Sequence, residues 1–355
     1  MRWKNTLIKF FLILCYPLTR PFRNSPPFHR FLIISTTGLG DTLWATPALR
    51  ALRESRPHAY IGVLTTEVRK EIFDHNPHLD ELFSLRRSIF LSLLRLLPLL
   101  RKRKIHTILI FHASQRLIFL FASLLGAERI VGSTHGNKEL DSLLTDKIEE
   151  GEIHEIERRL SLVCHLGCSP NHSKKMELFP SSKDEVKIAG PSQRVIGLHP
   201  GAHDRFKQWP SAHFIELGRR LQQITDCQII VTGNQREREL VTRIASAIPH
   251  AIPFCEDPSV LKLASLLKQL SLYITNDTGA LHVASAMETP TIALFAPTHS
   301  GRCGPYFNPR VKVIQKNPVC FPCLKKQCQE PFCMLQISPL EVFHLGMELL
   351  FQENK

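Results

Sequence analysis

Residues 31–53 read FLIISTTGLGDTLWATPALRALR. Phe31–Ile34 is a short run of bulky apolar residues. A polar, glycine-bearing turn follows, Ser35-Thr36-Thr37-Gly38-Leu39-Gly40-Asp41-Thr42, and then a helical segment from Leu43 to Arg53. Strand, turn and helix in that order begin a βα unit, and a continuous apolar run of this length belongs in a parallel sheet buried on both faces. The same alternation recurs at Tyr60–Leu64, Thr107–Phe111, Val195–Leu198, Gln228–Val231, Leu272–Ile274 and Thr291–Phe295. Between the third and fourth of these seven runs lies Ser169–Ser192, rich in proline, serine and charge. An interdomain linker is expected near 180–192. The pattern therefore predicts two α/β domains, each with a parallel sheet covered by helices and a ligand site at the carboxyl ends of its strands. The cleft between the domains is the expected site.

Composition agrees with a globular chain. Of 355 residues, 43% are hydrophobic and 22% charged, which excludes general disorder and allows two cores. The net charge of +13 favours polyanionic partners: nucleic acid, anionic lipid or phosphorylated substrates. A generally basic soluble protein is the competing reading. Among ten cysteines, Cys15, Cys164, Cys227 and Cys255 lie singly in apolar or mixed segments. They read as small buried hydrophobes in a reducing compartment.

Two segments combine apolar and basic residues. Near the start, Leu7–Leu18 is interrupted by Lys9 and covers about half to two-thirds of the ~20 residues a bilayer crossing needs. No Ala-x-Ala cleavage pattern follows. Leu7, Phe10, Phe11 and Leu14 fall at helical spacing, and Arg2, Lys4, Lys9, Arg20 and Arg23 are available to anionic headgroups. The alternative is an extension packed on the body. The second segment, Arg86–Lys104, reads RRSIFLSLLRLLPLLRKRK. It is expected to be a lipid-facing helix or an amphipathic helix against the core, kinked or ended by Pro98.

Five motifs carry chemistry. Gly38-x-Gly40 invites a dinucleotide reading, but Leu43 stands at the third glycine position. Asp41 also puts a carboxylate where a pyrophosphate would sit at a helix start. The turn therefore presents a base for a substrate hydroxyl, or Asp41 or Thr42 simply caps the helix. The second motif runs from His199-Pro200-Gly201 through Arg205, Lys207 and Trp209-Pro210, with Ser211 as the expected cap of the next helix. Its cations can neutralise phosphate, or form an ordinary solvated loop. In the third, Asn276-Asp277-Thr278-Gly279 leads into a helix of small residues that holds His282. Backbone N–H groups at that start suit a diphosphate. The fourth, Phe295-Ala296-Pro297-Thr298-His299, is expected to border the same cleft. The fifth is Cys320, Cys323, Cys328 and Cys333, which form a structural zinc site or remain packing or redox-labile thiols.

Taken in order, these segments resemble glycosyltransferase family 9, the lipopolysaccharide heptosyltransferases, over about residues 31–345. The resemblance rests on Gly40-Asp41-x4-Thr46-Pro47-x-Leu49-Arg50-x-Leu52, on His199-Pro200-Gly201 with Lys207-x-Trp209-Pro210, and on Asn276-Asp277-Thr278-Gly279-x-x-His282. It implies a GT-B fold, two Rossmann-like α/β/α domains with parallel sheets facing across a central cleft. The expected organisation is a membrane-associating segment at 1–28, an acceptor domain at 29–185, a nucleotide-sugar domain at 190–335 and a C-terminal helix at 336–355.

It further implies an inverting transferase that requires no cofactor. Asp41 would be general base and Lys207 the phosphate contact. Asp277, Thr278, Gly279, His282, His199 and Gly201, with Glu237 or Glu239, would surround a nucleotide-diphosphate sugar such as ADP-heptose. The implied acceptor is lipid A or core oligosaccharide, and the implied place is the cytoplasmic face of the inner membrane, with the protein acting as a monomer. One departure is Ser35, where the family usually has a basic residue. No Asp-x-Asp sequence is present to chelate a catalytic divalent ion, so fixed cations and a helix dipole are expected instead. An NAD-dependent oxidoreductase is the alternative enzyme, weakened by the missing glycine and by Asp41. A nucleic-acid-binding module is the alternative non-enzyme, but the cations gather in two apolar runs instead of alternating with exposed aromatics.

Overall fold

The computed structural model describes residues 30–112, 115–134, 139–149, 151–169, 174–188, 194–255, 259–296, 298–320, 328 and 332–351. The N-terminal segment expected at 1–28 and Cys323 of the cysteine cluster lie outside these residues. The chain divides into two compact units, 1–174 and 175–355.

The first unit holds strands β1 Arg30–Ser35, β2 Tyr60–Thr66, β3 Glu81–Leu85, β4 Thr107–His112, β5 Arg129–Ser133 and β6 Asp146–Ile148. They form one parallel sheet in the order β3-β2-β1-β4-β5-β6. Its helices are α1 Leu39–Leu43, α2 Thr46–Ser55, α3 Ile89–Lys102, α4 Arg116–Leu124 and α5 Glu155–Cys164. Phe31, Leu32, Ile33 and Ile34 are all buried, as a strand covered on both faces requires.

The second unit holds β7 Val195–His199, β8 Gln228–Thr232, β9 Ile252–Phe254, β10 Leu272–Asn276, β11 Thr291–Phe295 and β12 Val311–Gln315. Its parallel order is β12-β11-β10-β7-β8-β9. Read from β9, this is the order of the first sheet. The helices are α6 Ser211–Thr225, α7 Arg238–Ala247, α8 Val260–Leu267, α9 Gly279–Ala286, α10 Ser300–Cys303, α11 Phe332–Leu335 and α12 Pro339–Phe351. Helix α12 returns to this unit's core. A side chain at Gly346 would come within 3.2 Å of Leu272, and Val342 and Leu350 are buried.

Both sheets are thus doubly wound. The direction in which successive strands are added reverses between β1 and β4 in one, and between β7 and β10 in the other. A crevice opens beyond the carboxyl ends of the strands at such a point, and ligands bind there. Asp41 follows β1, His199–Lys207 follows β7, and Asp277 follows β10.

The seven strands expected from the sequence are all present. The five not foreseen are β3, β5, β6, β9 and β12, which occupy outer positions of the two sheets. β6 and β9 have only three residues, β3 and β12 are partly covered and carry polar residues on their open side, and Gly132 interrupts the apolar run of β5. Pro98 neither ends nor interrupts α3. The carbonyl it leaves without a donor belongs to Leu94, which is exposed, so water can satisfy it. The expected helix from Leu43 is in fact two. α1 starts at Leu39, and α2 begins afresh at Thr46 with Pro47 in its first turn, the position where proline is tolerated.

Candidate active site

In the first unit the turn after β1 is built around Gly38, the residue that precedes α1. Its N–H donates to Asp41 Oδ2 at 3.0 Å, and its carbonyl accepts from Thr42 Oγ1 at 2.8 Å. The cap residue is therefore Gly38, not Asp41 or Thr42; Asp41 reaches back from the third helical position to close the turn. A side chain at Gly38 would stand only 3.0 Å from Asp41 Oδ2, so any larger residue here would press on the carboxylate and shift it.

The bond to Gly38 fixes Oδ2 and leaves Oδ1 turned toward Arg159 and His112. Arg159 Nη2 lies 3.6 Å from Oδ1, and His112 Nδ1 lies 3.9 Å away. Arg159 comes from α5, is fully buried, donates to Glu155 Oε2 at 2.9 Å, and places its guanidinium 5.4 Å from the centre of the Trp44 ring. His112 reaches this level because the register of β4 against β1 slips by one residue after Ile34, pairing Ser35 with His112. Burial holds the His112 imidazole below its ordinary value, against the pull of the Asp41 charge. Arg69, on the 3-10 turn Glu67–Phe73, is lowered by burial and raised by the same Asp41 charge, which places it in the same electrostatic neighbourhood. The Asp41 side chain keeps 25% of its surface exposed, so a positively framed carboxylate remains reachable from solvent. Ser35, by contrast, is fully buried, so the position at which the family usually has a basic residue offers no surface contact.

In the second unit one buried amide ties the two switch-point loops together. Asn276, at the end of β10, accepts from the Trp209 N–H at 3.0 Å and donates to Pro200 O at 2.9 Å. Trp209 is itself buried. Its indole N–H donates to Ile337 O at 2.9 Å, and its ring meets Phe214 edge-on at 4.8 Å. The 3-10 turn Arg205–Lys207 is held between these anchors, and Lys207 Nζ donates to Asp277 Oδ2 at 2.7 Å. Thr298 Oγ1 donates to the same oxygen at 2.6 Å. Helix α9 begins next to Asp277 with Thr278 at its cap position, and no side chain caps it. Its first amide dipoles can therefore serve a bound anion. Helix α6 starts at Ser211 after Pro210, so Ser211 is a first-turn residue and not the cap.

Glu237 is distinguished from Glu239 by its packing. A side chain at Gly201 would lie 2.1 Å from Glu237 Oε1, so Gly201 makes room for that carboxylate. Glu237 Oε2 accepts from Asn234 N at 2.9 Å and Asn234 Nδ2 at 2.7 Å, whereas Glu239 is exposed on α7. His199 and His282 are both buried. His199 Nδ1 meets Thr232 Oγ1 at 2.9 Å, and that hydroxyl also meets Tyr273 Oη at 2.9 Å, forming a polar chain under the loop. Burial holds His199 below its ordinary value, partly opposed by the charge of Glu237.

The structure thus gathers Lys207, Asp277, Thr278 and Gly279 at one switch point, with Gly201 against Glu237, and sets Asp41 at the other. Sequence reasoning gave no role to Arg159, His112, Arg69, Thr298 or Asn276. Arg159 lies more than a hundred positions from Asp41 with no motif around it. Thr298 was in view as part of a strand end, without a partner. Of the cysteine cluster, Cys320, Cys328 and Cys333 are described, and Val319 N donates to Cys333 Sγ at 3.1 Å. Among the described residues no group of three or more metal-ligating side chains converges.

Comparison with known proteins agrees with this fold. The profile of glycosyltransferase family 9 (heptosyltransferase) matches residues 120–333, more than half of the chain. The chain is 25% identical over 322 residues to lipooligosaccharide heptosyltransferase 2 of Campylobacter jejuni subsp. jejuni serotype O:2, covering 88% of this chain and 96% of that protein. Its fold is similar to a crystal structure of a family 9 glycosyl transferase from Veillonella parvula, with TM-score 0.78, 18% identity, and coverage of 92% and 98% of the two chains. It is also similar to E. coli ADP-heptose LPS heptosyltransferase II, with TM-score 0.76, 19% identity, and coverage of 92% and 100%. The oxidoreductase and nucleic-acid alternatives find no support among these relatives. Doubly wound GT-B sheets, loops of the expected composition at both switch points and the matching profile lead to one conclusion: this chain is a glycosyltransferase and belongs to glycosyltransferase family 9.

Proposed function

We propose that the chain transfers heptose from ADP-heptose to a lipid A or core-oligosaccharide acceptor, with inversion, as a monomer at the cytoplasmic face of the inner membrane. The acceptor oxygen attacks the anomeric carbon while its proton passes to Asp41 Oδ1, the carboxylate oxygen not bound to Gly38. The bond from the anomeric carbon to the diphosphate breaks, and its electron pair leaves on the phosphate oxygen. Lys207 and the first amides of α9 stabilise that charge, each well-aimed donor contributing about 3–4 kcal/mol. Arg159 and Arg69 give Asp41 a positive surrounding potential, and His112 packs beside its free oxygen. Glu237, in the space left by Gly201, is assigned to the nucleoside end of the donor. A divalent ion is not required by this scheme.

The observation that carries the reading is the Asp41 carboxylate, anchored through one oxygen, cation-framed and still solvent-reachable at a switch point. The relatives' names support the donor and acceptor. A thermal-shift panel of nucleotide diphosphates and nucleotide sugars tests the donor. ADP and ADP-heptose should stabilise most, by about 2.7 kcal/mol at a hundred times Kd. A stronger response to UDP or GDP species would replace ADP-heptose in the scheme.

A further inference from the structure

We propose that the solvent face of α3 is the surface by which this protein docks on an anionic phospholipid bilayer; this rests on the reading of the acceptor as a lipid. The segment Arg86–Lys104 contains seven cations and no acid. Its inner stripe is used by the fold: Leu93 and Leu100 are buried, and Ile89, Leu96 and Leu97 pack against the same core. The opposite side, open to solvent, mixes cations with large apolar side chains. Phe90 is 57% exposed, Leu91 63%, Leu94 52% and Leu99 41%. An amphipathic helix that serves only a core has polar residues on that side.

The cations share this open face: Arg87 and Arg95 stand one turn before and one turn after Leu91, and Lys102 two turns beyond Arg95. Arg103 is taken up by Glu81, and Arg101 donates to Leu124 O. Arg86, Arg87, Arg95, Lys102 and Lys104 have exposed side chains that make no ion pair among the described residues. Large apolar side chains interleaved with long cations, whose stems can reach up to the headgroups, match the boundary between acyl chains and anionic lipid. At 1.5 Å per residue the 14-residue helix is about 21 Å long, short of the ~30 Å hydrocarbon core, and its other face is fixed to the unit. It therefore lies along the surface, with Phe90, Leu91 and Leu94 inserted and Arg87, Arg95 and Lys102 at headgroup level.

The test uses the full chain and sedimentation with two kinds of vesicle, phosphatidylcholine alone and phosphatidylcholine with roughly one-third phosphatidylglycerol. Wild type should partition onto the anionic vesicles preferentially and less so as salt rises. Leu91→Gln/Leu94→Gln and Arg87→Gln/Arg95→Gln/Lys102→Gln should each lower that partitioning about tenfold or more. Both variants should keep the wild-type melting temperature and the wild-type rate on a short water-soluble acceptor. Wild-type partitioning by either variant overturns the assignment, as does equal binding of wild type to both vesicles. The soluble-acceptor rate separates the two ideas: a wild type that transfers no sugar there refutes the proposed function, while the vesicle result still judges α3.

Discussion

Lys207 Nζ and Thr298 Oγ1 both donate to the same oxygen of Asp277, at 2.7 and 2.6 Å. Asp277 is buried and thereby fixes the ammonium beside the start of α9, while Lys207 keeps 20% of its side-chain surface. An ammonium has three donors, so one can stay on Asp277 while another meets a phosphate. Lys207→Ala should lower kcat by roughly 10²–10³ and weaken ADP binding, because the cation acts most where charge develops. Single-turnover kinetics and ADP titration check this; an unchanged kcat would remove Lys207 from the mechanism.

Gly201→Ala tests the place given to Glu237. The new methyl would overlap Glu237 Oε1, built 2.1 Å away, yet the obstacle is the end of a flexible side chain. Folding stability should change by less than about 1 kcal/mol, since the carboxylate can swing out. Affinity for ADP should fall about tenfold as Glu237 leaves its bonds to Asn234. Unchanged affinity in calorimetric titration would free Glu237 of any nucleotide role.

Arg159→Leu tests the support under Asp41. Removing the guanidinium strands Glu155, which is itself buried, and breaking a buried pair typically costs about 3–5 kcal/mol. Arg158 Nη1, 3.5 Å from Glu155, should keep the cost at the low end. Arg159→Leu/Glu155→Leu should recover most of the lost urea midpoint but not the transfer rate, because Asp41 loses its neighbouring cation. Full recovery of both would make the pair purely structural.

Acid should destabilise the fold through His199. Burial holds its folded value below the ordinary one of about 6.5, so the unfolded chain binds the proton more readily. The contribution is complete above about pH 6.5 and is lost as pH falls through the folded-state value. His112 has the same sign. Urea unfolding at about pH 7.5 and about pH 5.5 should show a smaller loss for His199→Asn than for wild type. An identical loss would place the pH dependence elsewhere.

Sequence alone was informative where one element decides the outcome. The central strands were legible because both faces are buried, and the turns after β1, β7 and β10 because their glycines and charges are contiguous. It was less informative where partners are distant. Arg159 reaches Asp41 from α5, Asn276 joins Trp209 to Pro200, and Thr298 meets Asp277 only after β11 is placed beside β10. The one-residue slip that lifts His112 to Asp41 leaves no mark in the sequence. Glu237 and Glu239 were equivalent on paper; contact with Gly201 separates them.

The central claim is that Asp41 removes the acceptor's proton. Asp41→Asn preserves shape and retains an oxygen that can accept from Gly38 N–H, but it offers no carboxylate base. The measurement is single-turnover transfer of heptose from ADP-heptose by this variant, alongside ADP affinity. The account predicts wild-type ADP binding with transfer slowed at least about 10²-fold, the range expected for loss of a general base. Transfer at the wild-type rate would contradict it.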